Sequence, residues 1–134
     1  NGVIGSASQG NGPKEALKIG FLLGQTIKQI GGAHSSLFIV TQSAIYSTNA
    51  QKFLENGVRT MVSDLWGKMK LPNSVNVILK VFFTWWNVIL VDQNSNFYAN
   101  GNNEYKQLCN ENITKQPEFQ PFGKLKNLVM DYYT

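Results

Sequence analysis

The feature that most constrains this chain is that it matches itself. Ile27-Lys28-Gln29-Ile30, Leu37-Phe38-Ile39-Val40 and Ile45-Tyr46 return as Ile78-Leu79-Lys80-Val81, Val88-Ile89-Leu90-Val91 and Phe97-Tyr98. The offset is 51 residues from Ile27 to Ile78 and 52 from Tyr46 to Tyr98, so one residue has entered a turn. A third start, Leu125-Lys126-Asn127-Leu128, comes 47 residues after Ile78. Short apolar runs rich in β-branched and aromatic residues, closed by Ser, Thr, Asn and Gly, read as strands. A period near 50 with several short strands per unit is the pattern of radial repetition, where each unit buries its faces only against its neighbours. The expected fold is therefore mainly β: antiparallel sheet blades of a propeller-like repeat. Residues 1–26 would hold a loop and the start of the first unit, 27–77 unit one, 78–124 unit two and 125–134 the start of a third.

One segment breaks the period of two. Across 51–69, Leu54, Val58, Met61, Val62, Leu65 and Met69 recur at three and four residues, which predicts a helical insertion with one apolar face. Gly57 weakens a helix there by about 1 kcal/mol relative to Ala.

Composition narrows the function classes. The 134 residues are 43% hydrophobic, so a packed core is within reach and wholesale disorder is excluded. Only 15% are charged, and 24 Asn and Gln carry much of the polarity. The net charge of +4 is modest and Arg59 is the only arginine, which gives no strong nucleic-acid signal. One Cys and one His rule out an internal disulfide and an all-protein zinc site within one chain. The longest apolar run, Ile78 to Val91, contains Lys80 and Asn87 and is too short to span a bilayer. No charged-then-apolar leader follows Asn1, which points to an intracellular protein.

The second unit resembles a known family on specific residues. Between Val91 and Leu108, Phe97-Tyr98, Gly101-x-Asn103 and Gln107-Leu108 match the repeat of the regulator of chromosome condensation family. That repeat has an apolar strand, an apolar residue before Tyr, Gly-x-Asn, and then Gly-Gln-Leu-Gly. Here Lys106 and Cys109 stand in place of the two flanking glycines, and Asn100 where an aromatic is common. The family's strand histidine is Ser36 in unit one and Asn87 in unit two. The resemblance covers about 100 residues in outline and about 20 specifically. It implies a seven-bladed propeller of four-stranded sheets, whose ring two and a fraction units cannot close. It also implies, as an activity of the family, guanine nucleotide exchange on a small GTPase.

The chemistry-bearing residues do not form a catalytic pattern. Asp64, Asp92, Glu104 and Asp131 are scattered, and His34 has no nucleophile elbow or acid nearby in sequence. Asp92 and Asn94 read as turn formers that bond their own backbone. Gly5 to Gly10 has phosphate-loop spacing, but no strand precedes it and no Lys-Ser or Lys-Thr closes it. No cofactor, metal or catalytic residue is expected. The interaction residues expected are the loop Asn100, Asn102, Asn103, Glu104 and Tyr105 with the pair Trp85 and Trp86. Placed on a strand, one of the two indoles would face away from the other.

The sequence thus points to a non-enzymatic protein-interaction or scaffold module, partnered by another protein or by further copies or units of the same repeat. The two alternatives are nucleotide exchange as part of a longer propeller, and a small α+β subunit of a large assembly in which 51–69 is a true helix.

Overall fold

A computed structural model of the chain describes residues 19–34, 36–48 and 57–124. The protein is mainly β, built from two antiparallel sheets. Among the described residues a 3-10 turn, Gly20–Leu22, precedes them. The first sheet contains β1 (Gln29–Ala33), β2 (Ser36–Val40), β3 (Ile45–Ser47), β4 (Arg59–Met61) and β5 (Gly67–Met69), in the order β1-β2-β3-β5-β4. The second contains β6 (Ile78–Phe83), β7 (Asn87–Asp92), β8 (Asn96–Asn102) and β9 (Lys115–Lys124), in sequence order.

The registers of the two sheets are related by the sequence offset. Gln29 opposes Val40 and Ile30 opposes Ile39; 51 residues on, Lys80 opposes Val91 and Val81 opposes Leu90. Ile39 opposes Tyr46, and Leu90 opposes Tyr98. A slip of one residue would turn every apolar side chain to the wrong face, so both sheets are held to one register by the faces they bury.

Those faces build two cores. Phe38, Val40, Ile45 and Met69 of the first sheet meet Ile78, Val81, Val88, Leu90, Tyr98 and Phe119 of the second. Each large aliphatic or aromatic side chain fully buried there contributes roughly 1.5–3 kcal/mol. The opposite face of the first sheet, with Ile39, Tyr46, Leu65 and Trp66, is covered by Leu22 and flanked by Ile19 and Phe21. Phe21 lies 4.8 Å from the Tyr46 ring and 5.9 Å from Trp66, so residues 19–22 cap that face. The first sheet is the middle layer of three.

Both edges of the contact between sheets are stitched by polar groups. The Gln29 amide acts as a short piece of strand: its Nε2 donates to the Val81 carbonyl at 2.6 Å and its Oε1 accepts from the Val81 N–H at 3.2 Å. Lys28 Nζ donates to the Ile78 carbonyl. At the outer side the Val58 N–H donates to the Pro117 carbonyl at 3.1 Å. Gly31 leaves room for the Phe83 ring, which a Cβ would meet at 2.2 Å.

The helical expectation for 51–69 fails wherever it can be compared. Residues 51–56 lie outside the described part, and 57–69 form β4 and β5 joined by a turn over 62–66. Gly57 has φ +61°, and the Val62 and Ser63 N–H groups both donate to the Trp66 carbonyl, which closes the turn. The apolar residues spaced three and four apart do not share a face. Leu65 joins the capped core, Met69 the core between sheets, and Val58, Met61 and Val62 are exposed. With that helix gone, the α+β subunit loses its basis. The third unit's start at 125–134 lies outside the described residues.

Candidate functional site

Antiparallel pairing decides which loops share an end. β6 and β8 both run against β7, so the β6–β7 turn and the β8–β9 loop emerge together. The β1–β2 turn joins them, because its His34 reaches the β6–β7 turn. Together they form one rim.

Trp85 and Trp86 are the two tip residues of the hairpin between Phe83 and Asn87. The Thr84 N–H donates to the Asn87 carbonyl at 2.9 Å, and the Asn87 N–H donates to Thr84 Oγ1 at 3.1 Å, pinning both sides of the turn. At a turn tip the alternation of a strand no longer applies. Both indoles are therefore outward, Trp85 at 64% and Trp86 at 40% exposure. This corrects the expectation that one would face away. They stand 6.2 Å apart at 81°. His34 stacks on Trp86 at 4.2 Å and 26° and meets Trp85 edge-on at 5.6 Å. It holds that position with φ +38°, a left-handed conformation that costs a non-glycine residue roughly 1–2 kcal/mol. His34 was not among the expected site residues, yet the repeat contained the clue: it precedes Trp85 by 51 residues and so occupies the same turn of unit one.

The β8–β9 loop is braced from within by asparagines. The Asn87 Nδ2 donates to the carbonyls of Asn100 (3.2 Å) and Asn102 (2.7 Å), and the Asn102 N–H donates to the Trp86 carbonyl at 3.1 Å. That approach needs Gly101, whose φ is +113° and whose added Cβ would stand 2.1 Å from the Trp86 carbonyl oxygen. Asn103 is the loop's internal strut. Its Nδ2 donates to the Asn110 carbonyl at 2.6 Å and the Ile113 carbonyl at 2.8 Å, while its Oδ1 accepts the Leu108 N–H at 2.8 Å. Asn102 Oδ1 accepts the Glu104 N–H and Gln107 Nε2. Lys106 and Cys109 adopt φ +59° and +55°, and their N–H groups close successive turns on the Asn103 and Lys106 carbonyls.

The expected residues therefore divide by role. Trp85, Trp86, Glu104 and Tyr105 point outward, with Tyr105 at 86% exposure. Asn102 is half-buried and shapes the loop tip. Asn100 and Asn103 are buried, so they hold the loop and offer no contact surface themselves.

At the opposite end, Asp92 organises the β7–β8 turn. Its Oδ1 accepts the Asn94 and Asn96 N–H groups, each at 2.9 Å, and its Oδ2 accepts Asn96 Nδ2 at 3.0 Å and the Tyr98 hydroxyl at 3.5 Å. Burial by itself raises this carboxyl. The donors from Asn96, Asn94 and Tyr98 outweigh burial and hold it below the ordinary aspartate range.

Among the described residues no group of three or more His, Cys, Asp or Glu side chains could hold a metal ion, and no helix is long and apolar enough to cross a membrane. Comparison with family models and with curated proteins returns no match to this chain. The rim's chemistry is that of exposed indole, phenol and amide groups on a braced frame.

Proposed function

We propose that this chain is a non-enzymatic protein-interaction module, built from two divergent units of a propeller-like repeat, that binds another protein through its aromatic rim. The observation that carries this reading is the cluster of Trp85, Trp86 and His34, held outward beside the loop that exposes Tyr105. Tryptophan and tyrosine dominate binding energy at protein interfaces, and a rigid platform loses little entropy when it docks. Solvent exposure of two adjacent indoles costs solubility and goes unrewarded in a free monomer.

The resemblance to the regulator of chromosome condensation repeat gains support from two details. The residues standing where that repeat has glycine, Lys106 and Cys109, both adopt left-handed backbone. The glycine of Gly101-x-Asn103 is required by the approach of Trp86, and its asparagine is the loop's strut. Nucleotide exchange, implied by the resemblance alone, has no separate observation in its favour.

The test is site-specific photo-crosslinking in extract of the source cells. A photoreactive residue at Trp85 or Tyr105 should capture one protein species, and the same group at Asn94, on the opposite end, should not. Capture that is equal at both ends, or absent from the rim, overturns the reading.

A further inference from the structure

A strand at the edge of a sheet offers unpaired N–H and C=O groups to any chain that can pair with them. Among the described residues the two sheets present four such edges, β1 and β4 in the first and β6 and β9 in the second. Three of these are blunted. β4 is only three residues long, and the Val58 N–H just before it is tied to the Pro117 carbonyl. β9 contains Pro117 and Pro121, which have no N–H to offer. On β6 the Gln29 amide occupies both polar groups of Val81, the Gln42 carbonyl accepts the Ile78 N–H, and Lys28 Nζ donates to the Ile78 carbonyl.

β1 has no such cover among the described residues. Ile30 opposes Ile39 just as Val81, 51 residues later, opposes Leu90. Hydrogen-bonded and non-hydrogen-bonded pairs alternate along an antiparallel ladder. Val81 is of the second kind, since its N–H and C=O both turn away from β7 to Gln29. Ile30 shares that register, so its N–H and C=O point off the free edge of the first sheet. Its side chain is 67% exposed, whereas Val81 is fully buried. The strand has no proline, and Gly31 and Gly32 raise no side chain against an approaching backbone. Lys28, the nearest charged residue in sequence, is turned to the Ile78 carbonyl.

We propose that β1 is a dimerisation edge, which pairs antiparallel with β1 of a second copy about a two-fold axis at Ile30. A second copy fits because the edge is its own complement. In that register each Ile30 N–H meets the other's C=O, and the two exposed Ile30 side chains lie directly opposed on one face. The strand Gln29–Ala33 has no charged residue to repel its twin. A strand of another protein meets the same backbone groups, but this neutral edge has no side chain that would select it. The inference goes beyond the rim reading, which needs no dimer.

Sedimentation equilibrium of the full 134-residue chain tests this, together with amide hydrogen exchange at Ile30. As concentration rises about a hundredfold from the micromolar range, the mean mass should climb from 15.0 kDa towards twice that value. Over the same range the Ile30 amide should exchange about tenfold slower, while the amides of β4 keep their rates. Ile30→Lys sets two like charges face to face at an exposed position, and should weaken association at least about tenfold. Ile30→Thr, the milder second variant, keeps the strand propensity and should weaken association less. Met61→Lys, on the β4 edge, should leave it unchanged. A single species of 15.0 kDa at every concentration overturns the proposal. Free exchange at Ile30 would then leave the edge to a foreign strand, and protection there would mean cover from within the chain. A dimer indifferent to both Ile30 variants also overturns it. Rim crosslinking is a separate readout, so either reading can fail while the other stands.

Discussion

The two sheets share a register and differ in what fills it. Ile39–Tyr46 and Leu90–Tyr98 are the same pair in the same place, yet the turns around them have diverged. The β2–β3 turn is closed by one hydroxyl: Thr41 Oγ1 accepts the Ala44 N–H at 3.1 Å. The corresponding β7–β8 turn is closed by Asp92, which accepts two backbone N–H groups and two side-chain donors. Ser36 at the start of β2 is buried with its hydroxyl unpartnered, whereas Asn87 at the start of β7 ties the rim to β8. The strand pattern is fixed by burial, which tolerates any apolar residue of similar size. Turn chemistry is fixed by hydrogen bonds to particular atoms, so it is there that one unit became the stiffer and came to present the rim.

The most severe way to break the stiffer unit is Gly101→Ala. The methyl group would overlap the Trp86 carbonyl and stand 2.8 Å from Asn87 Nδ2, and φ +113° is strained for any L side chain. Backbone carries the clash, so no rotamer change relieves it. The expected loss is about 3 kcal/mol or more, read as a drop in urea midpoint. A loss under about 1 kcal/mol would mean that the β8 approach to Trp86 is not fixed.

Next comes the pair of turn formers. Asp92→Ala removes a buried acceptor for two backbone donors and should cost about 2–3 kcal/mol, against about 1 kcal/mol for Thr41→Ala. Equal losses would erase the contrast between the units. pH sharpens it. Since the folded carboxyl titrates below its unfolded value, its stabilisation is complete above about pH 4 and drains as pH falls from there towards the folded value. The stability gap between the wild type and Asp92→Asn should therefore narrow steadily below about pH 4. A gap that stays constant into acid would show that the carboxylate charge plays no part.

The positions that open β2 and β7 should respond with opposite sign. Asn87→Ala strips two carbonyls of their donor and should cost about 1–3 kcal/mol, with Trp86 fluorescence shifting as its turn loosens. Ser36→Ala removes a hydroxyl that has no partner and should be neutral or slightly stabilising by thermal melting. Loss of stability in Ser36→Ala would show that the hydroxyl is bonded in solution.

These contrasts also explain what was legible in the sequence. The repeat marked β1–β3 and β6–β8, because burial writes a period of two and an offset of 51 into the residue types. The family resemblance, not the internal repeat, singled out Gly101 and Asn103, because glycine and asparagine are chosen where backbone approach and a buried strut demand them. Over 57–69 the sequence misled, since a tight turn between two three-residue strands spaces its apolar residues much as a helix does. The outward pair Trp85 and Trp86 reads as strand in the sequence, for a two-residue tip flanked by Thr84 and Asn87 has no Gly to announce it. His34 is legible as a site residue only through its 51-residue offset from Trp85, because its partners come from another sheet.

The smallest expected effect tests the β8–β9 loop at its least favourable conformations. Lys106 and Cys109 hold left-handed backbone that glycine adopts without cost, and both positions are glycine in the repeat this unit resembles. Cys109→Gly is the cleaner substitution, because the cysteine is exposed and free. Lys106→Gly would also lose the bond from Lys106 Nζ to the Glu111 carbonyl. Relief of left-handed strain favours the variant by about 1 kcal/mol, and the extra freedom of glycine in the unfolded chain takes back part of it. The net gain expected for Cys109→Gly is a few tenths of a kcal/mol, seen as a slightly higher melting temperature. Lys106→Gly should come out near zero, its strain relief offset by the lost hydrogen bond. A clear loss of stability in Cys109→Gly would mean that the loop does not carry its turn there, and the match to Gly-Gln-Leu-Gly would then lose its physical basis.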